Sequence, residues 1–244
     1  MKKCSLLFWV GLIGLFVAFS SCQSTHSQNV NNEENPQTST TQTTVPMLSP
    51  QEMEAKKAPV ITIETQFGNM DLILYNETPL HKENFLKLAK EGFYDNTTFH
   101  RVIKGFMIQG GDPLSKDPAT RMQAGTGGPN YTIPAEMVPH LKHLKGALAA
   151  ARKGDNVNPK RESSGSQFYI VQDAMGCQHL NGQYSVFGQV VRGLEVIDSI
   201  AAQPQRASSV PAQDIFMKMS VKELSLAKIQ KEYNFVFPDL KPQE

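Results

Sequence analysis

An excess of either charge is missing from this 244-residue chain. Twenty-four Lys and Arg stand against 23 Asp and Glu, a formal charge of +1. The cations are scattered, with no basic stripe interleaved with aromatics, so nothing points to nucleic acid as a partner. Cysteine is scarce: Cys4, Cys22 and Cys177 are the only three. No apolar run reaches the ~20 residues that cross a bilayer. Internal repeats are absent. The serines at 163, 164 and 166 lack a Gly-x-Ser-x-Gly elbow, which argues against a serine hydrolase. Gly125-Thr126-Gly127-Gly128-Pro129 lacks the Lys-Ser/Thr ending of a phosphate loop and reads as a turn cluster.

The first residues carry a different pattern. Lys2 and Lys3 precede an uncharged apolar run from Leu6 to Phe19, and Ser20-Ser21-Cys22 ends it with small residues. That is a secretory signal pattern. Cys22 directly after small residues resembles a bacterial lipoprotein processing site, at which lipid would be attached to Cys22. Phe19 departs from the Leu usual at that place. An ordinary signal peptide with an incidental Cys and an uncleaved anchor are the alternatives. Removal of Cys4 and acylation of Cys22 would leave Cys177 alone, so no internal disulfide is expected.

Residues 23–57 are rich in Gln, Asn, Thr, Ser and Glu and poor in large apolar side chains. Such a segment cannot bury enough surface to fold. It reads as a disordered polar linker of roughly 35 residues with a reach on the order of 30–35 Å. From residue 58 the pattern is globular. Val60–Thr65 and Met70–Tyr75 are strand-like, with Gly68-Asn69 as the expected hairpin turn. A helix is expected next, with Thr78 as N-cap, Pro79 first inside and Gly92 as its stop. Strands are expected over Thr97–Ile103, Phe106–Gln109, Ala147–Ala151, Gln167–Val171, Val186–Val190 and Ile215–Val221. A second helix is expected over Leu194–Ala201. Two helices and eight short strands suit a mainly β protein, a closed barrel. Residues 225–244 form an extension whose Ile229, Tyr233, Phe235, Val236 and Phe237 could pack on the barrel or meet a partner.

The most informative stretch is Phe99-His100-Arg101-Val102-Ile103-Lys104-Gly105-Phe106-Met107-Ile108-Gln109-Gly110-Gly111-Asp112-Pro113. Alternate side chains on a strand share a face. Arg101 then points away from His100 and Val102, and Met107 shares a face with Gln109. Gly105 permits a bend between the halves. A cation, an amide and apolar walls on one sheet surface can hold an uncharged, apolar group bearing a carbonyl. By the same alternation Gln167 and Tyr169 share a face, while Phe168 and Ile170 face the core. His100 reads as a satisfied core histidine.

This stretch resembles the signature of the cyclophilins, the peptidyl-prolyl cis-trans isomerases. Ser164-Gly165-Ser166-Gln167-Phe168-Tyr169-Ile170 and Leu180-Asn181-Gly182-Gln183-Tyr184-Ser185-Val186-Phe187-Gly188-Gln189-Val190 resemble two further family segments, in the family's order. The resemblance runs from about Val60 to about Leu224, within a domain bounded at 58–224. It implies an eight-stranded antiparallel β-barrel capped by two α-helices. It implies catalysis by Arg101 with Gln109, and substrate binding by Phe106, Met107, Ala151, Gln167, Tyr169, His179, Leu180, Tyr184 and Phe187. Proline-containing polypeptides would be the partners, with no cofactor and no metal. A non-catalytic proline-segment-binding or holdase module is the alternative.

Three positions depart from the commonest eukaryotic pattern: His179 where Trp is frequent, Tyr184 where His is frequent, and Arg152 where Asn often follows Ala. Loss of the indole at 179 predicts weak binding of cyclosporin with activity retained. With the leader, the reading is a monomeric isomerase held to a membrane of the bacterial cell envelope by lipid on Cys22 and facing the periplasm.

Overall fold

The structure, a computed structural model, describes residues 48–207 and 209–241. The leader, Cys22 and most of the linker lie outside the described residues. Eight strands form one antiparallel sheet: β1 (Lys57–Thr65), β2 (Gly68–Leu74), β3 (Arg101–Ile103), β4 (Met107–Gly110), β5 (Ala147–Ala150), β6 (Phe168–Val171), β7 (Val186–Arg192) and β8 (Lys218–Ser225). Their order is β8-β1-β2-β7-β5-β6-β4-β3. The ladder therefore has two ends rather than running unbroken around a ring. The segments leading into those ends do meet. Asn96 N–H donates to Met217 O, Met217 N–H to Thr97 O and Phe99 N–H to Ile215 O, each at 2.9 Å. A single bridge joins Thr98 to Phe216.

Four α-helices occur among the described residues: α1 (Pro50–Ala55), α2 (Pro79–Lys90), α3 (Leu194–Ala201) and α4 (Leu226–Tyr233). None is long and apolar enough to cross a membrane. Strand alternation sends Ile61, Ile63, Met70, Leu72 and Leu74 into one core with Phe85 and Leu88 of α2 and Ile197 and Ile200 of α3. Phe168 and Ile170 join them, as alternation predicts.

The hairpin turn lies two residues earlier than expected. Thr65 pairs with Gly68, so Gln66 and Phe67 make the two-residue turn. The Thr65 hydroxyl accepts the Phe67 N–H at 3.1 Å and donates to Gly68 O at 2.9 Å. Gly68 is already a strand residue, held at φ +120° against Val196. Thr78 occupies the N-cap of α2, but its hydroxyl makes no capping bond. The Glu136 carboxylate caps instead, accepting from the N–H groups of Leu80 (3.1 Å) and His81 (3.0 Å). Glu136 also lies 2.6 Å from His81 Nδ1, and His81 Nε2 lies 2.9 Å from Ser163 Oγ. This is the residue order of a hydrolase triad. Ser163 is only 2% exposed and Glu136 is engaged by the helix, so the row clamps α2 to its neighbours.

The expected disordered linker ends before residue 57. Ser49 and Glu52 form a capping box that starts α1, and β1 begins at Lys57. The C-terminal extension packs on the domain. Leu226, Ile229 and Phe237 cover Ala58, Val60 and Ile73 on the outer face of β1 and β2, with Leu48 and Met53 alongside. Those strands are apolar on both faces, and the extension supplies the second cover.

Candidate functional site

The β3–β4 hairpin sets Arg101 opposite Gln109 and Ile103 opposite Met107. Gly105 turns the chain between them at φ +76°, and its N–H donates to Gln172 Oε1 at 2.6 Å. Gln109 in turn faces Tyr169 of β6, and Tyr169 faces Ala149 of β5. Arg101, Gln109 and Tyr169 are thus one row across three strands. Ala149 and Ala151 are small, and the sheet surface sinks there. The depression holds about 120 Å³ and is lined by Arg101, Phe106, Met107, Gln109, Ala151, Arg152, Tyr169, Leu180 and Tyr184. Residues from five separate segments meet there, and eight of the nine are among the expected site residues.

A chain of oriented amides lies behind Arg101. Asp112 is fully buried. Its Oδ1 accepts the Leu114 N–H at 2.8 Å, and its Oδ2 accepts the N–H groups of Gly125 (2.6 Å) and Gly127 (2.8 Å). Gln167 Nε2 donates to the same Oδ2 at 3.1 Å and to Gly127 O at 2.7 Å. Two acceptors on one nitrogen fix which way the Gln167 amide faces. Its Oε1 must then accept, and Gln109 Nε2 donates to it at 3.0 Å. Gln109 Oε1 is left facing Arg101 NH1 at 3.2 Å. The other guanidinium nitrogens make no hydrogen bond to the described residues, so the fork stays open toward the pocket. A side chain on Gly127 would collide with Asp112, which accounts for glycine at that point of the turn cluster.

The opposite rim is a loop over residues 178–184. Arg152 lies over the Tyr184 ring at 4.5 Å, and its Nε donates to Gln183 O at 2.9 Å. Asp155 pairs with both Arg152 and Arg161, holding Arg152 in place. The Tyr169 hydroxyl lies 2.9 Å from His143 Nε2, away from the open side of the pocket. Burial and the nearby Tyr184 push its pKa well up, so it stays a neutral phenol.

Three expected residues lie elsewhere. Gln167 is behind the pocket, in the amide chain. His179 sits outside it, stacked on Phe106 with centroids 5.9 Å apart. Phe187 is a core residue, packed on Phe85 and His81. Ala149 pairs with Val186 and Leu148 with Gly188, so Phe187 is the extra residue of a β-bulge turned inward. His100 is buried and faces away from Arg101, as alternation predicts, but it is not satisfied. Neither ring nitrogen has a hydrogen-bond partner of normal geometry among the described residues. Cys177 is a free, buried thiol whose pKa burial pushes up. Among the described residues no group of three His, Cys, Asp or Glu is placed to hold a metal.

Sequence reasoning passed over Asp112, His143 and Arg152 as site residues. Arg152 stood out as a departure, and its place after Ala151 was the available signal.

Residues 60–221 match the family model described as cyclophilin type peptidyl-prolyl cis-trans isomerase/CLD. Peptidyl-prolyl cis-trans isomerase B of Bacillus subtilis is 49% identical over 132 residues, covering 52% of this chain and 80% of that protein. A putative bifunctional phosphatase/peptidyl-prolyl cis-trans isomerase of Streptococcus pyogenes is 34% identical over 198 residues. That match covers 68% of this chain but spans only 39% of the relative's length. A crystal structure of a Cryptosporidium parvum cyclophilin type isomerase is similar at TM-score 0.59 and 32% identity, covering 68% of this chain and 98% of that one. The same protein in the presence of the dipeptide Ala-Pro is similar at TM-score 0.56.

Proposed function

The chain belongs to the cyclophilin-type peptidyl-prolyl cis-trans isomerases, and from that premise we propose that Arg101 drives rotation about an X-Pro bond whose ring sits against Phe106, Met107, Tyr169 and Leu180. The reaction it serves is isomerisation of that bond. Its barrier is ~18–20 kcal/mol because the nitrogen lone pair is delocalised into the carbonyl. Rotation breaks the conjugation and makes the nitrogen pyramidal and more basic. A donor aimed at the twisted imide binds it better than the planar one, and each ~1.4 kcal/mol of that preference is tenfold in rate. Arg101 can donate without losing its charge. Gln109 holds the fork, and Gln167 holds Gln109. The apolar floor takes the ring, and the open side admits the flanking chain.

The observation that carries this reading is the free guanidinium fork facing an apolar depression, braced from behind by Gln109 Oε1. A proline-binding module without turnover would need the depression but not the braced cation. The test is cis-to-trans conversion of an Ala-Pro peptide by the chain lacking residues 1–22, beside its Arg101→Ala variant. Conversion that falls at least about a hundredfold in the variant, ~2.7 kcal/mol of the barrier, supports the assignment. Conversion unchanged by the substitution moves catalysis away from Arg101.

The meeting of segments 96–99 and 215–217 we read as the seam that closes the sheet into a barrel. The apolar run, the small residues before Cys22 and the polar linker support a lipid-anchored monomer at the bacterial envelope, facing the periplasm and acting on exported proteins as they fold. Palmitate labelling that disappears in Cys22→Ser tests the anchor. Label retained in that variant overturns it.

A further inference from the structure

His143 lies behind the floor of the pocket, 1% exposed. Its Nε2 is 2.9 Å from the Tyr169 hydroxyl and its Nδ1 is 3.0 Å from Asn181 Oδ1. The same Oδ1 accepts the His143 backbone N–H at 2.9 Å. Two donors on that oxygen fix the Asn181 amide. The imidazole therefore carries its proton on Nδ1, and Nε2 accepts the phenol hydrogen. Burial holds the ring in its neutral form. The His143 ring is nearly parallel to that of Tyr169, at 12° with centroids 6.0 Å apart. Tyr184 meets both rings edge-on at 84°.

The loop at 178–184 makes mostly local bonds: Asn181 N–H to Gln178 O, and Gln183 N–H to Leu180 O. Two long-range ties fasten it, Arg152 to Gln183 O and Asn181 to His143. That loop carries Leu180 and Tyr184, which form one wall of the depression. The floor, Tyr169, is on the far side of His143.

We propose that His143 is a positioning residue of the isomerase pocket: it ties the Tyr169 hydroxyl to Asn181 and so sets the distance between the pocket floor and the Leu180–Tyr184 wall. The proposal rests on the isomerase reading above. His143 touches no substrate and acts only through the two residues it joins. Its removal would loosen ground-state and transition-state binding of the prolyl ring alike, which appears in KM rather than kcat.

The experiment measures kcat, KM and direct titration of an Ala-Pro peptide for the chain lacking residues 1–22 and its His143→Leu, Tyr169→Phe and double variants. His143→Leu is expected to raise KM and the dissociation constant about tenfold while kcat changes less than about threefold. Tyr169→Phe is expected to act in the same direction, and the double variant to be no worse than His143→Leu. Unchanged KM in a folded His143→Leu, or fully additive effects in the double variant, overturns the proposal. Should the variants not fold, the imidazole 15N resonances of the unaltered protein decide: a proton on Nδ1 supports the clamp, and one on Nε2 overturns it. Absence of turnover in the unaltered protein would sink the isomerase reading alone, since peptide titration still reports the pocket.

Discussion

Replacing Asp112 by Asn tests the amide chain at its root. The carboxylate is fully buried and accepts four hydrogen bonds, one on Oδ1 and three on Oδ2. Asn fits with its carbonyl oxygen at Oδ2, keeping Gly125, Gly127 and Gln167. Its NH2 then faces the Leu114 N–H, donor against donor. A bond to a charged acceptor contributes about 1.5–3 kcal/mol, and the stranded donor costs about 1–3 more. Relief of the buried charge offsets part of this. The net loss is about 2–3 kcal/mol. For a domain of this size, 1 kcal/mol shifts Tm by about 2–4 °C, so Asp112→Asn lowers Tm by about 4–12 °C. Gln167 keeps its acceptor, so kcat/KM stays within about threefold. Gln167→Leu reverses the pattern. It leaves the backbone donors on Asp112 but frees Gln109, so kcat/KM falls about tenfold or more with a smaller change in Tm. Thermal unfolding by circular dichroism and the Ala-Pro assay read both quantities. Asp112→Asn at unchanged Tm with turnover lost would refute the division of labour argued here.

Acid should destabilise the domain before its carboxylates titrate. Burial lowers the pKa of His81, His100 and His143 from 6.5, so the unfolded chain binds more protons than the folded one below that pH. Their contribution to stability is full above 6.5 and is lost as pH falls toward their folded values, so Tm at pH 5 lies below Tm at pH 7.5. A flat Tm across that window would show that these rings are not held neutral. Ile229 is fully buried against the outer face of β1 and β2. Ile229→Ala should cost about 2–5 kcal/mol in urea unfolding, and a cost under about 0.5 would mean that the extension is not docked. Because His179 stacks on Phe106 outside the pocket, cyclosporin should inhibit weakly, and nanomolar inhibition would contradict that.

Elements set by local periodicity were legible. Leu194–Ala201 is the helix that its apolar spacing predicts, and the face shared by Gln167 and Tyr169 follows from alternation alone. Eight of the nine residues lining the pocket followed from the motifs: the β3–β4 hairpin and the rim loop carry six of them in short runs, Ala151 follows β5 and Tyr169 lies on β6. α2 opens at Thr78 and Pro79 as expected, but Glu136 supplies the capping bonds that the Thr78 hydroxyl does not, and the C-terminal helix supplies the cover for the outer faces of β1 and β2. Phe187 left the pocket because a bulge, invisible in the alternation, turned it inward.

By itself, then, the sequence determined the eight strands of the main sheet, the helices α2 and α3, the face that most of their side chains take, and the residue types at the reacting surface. These depend on neighbours two to four positions away. Only the tertiary structure decided what braces that surface. Asp112 reaches Gln167 across 55 residues, and His143 reaches Tyr169 across 26 and Asn181 across 38. No periodicity encodes such pairs. They arise when strand register and loop path bring a buried acceptor to a buried donor, each of which would otherwise be left unpaired.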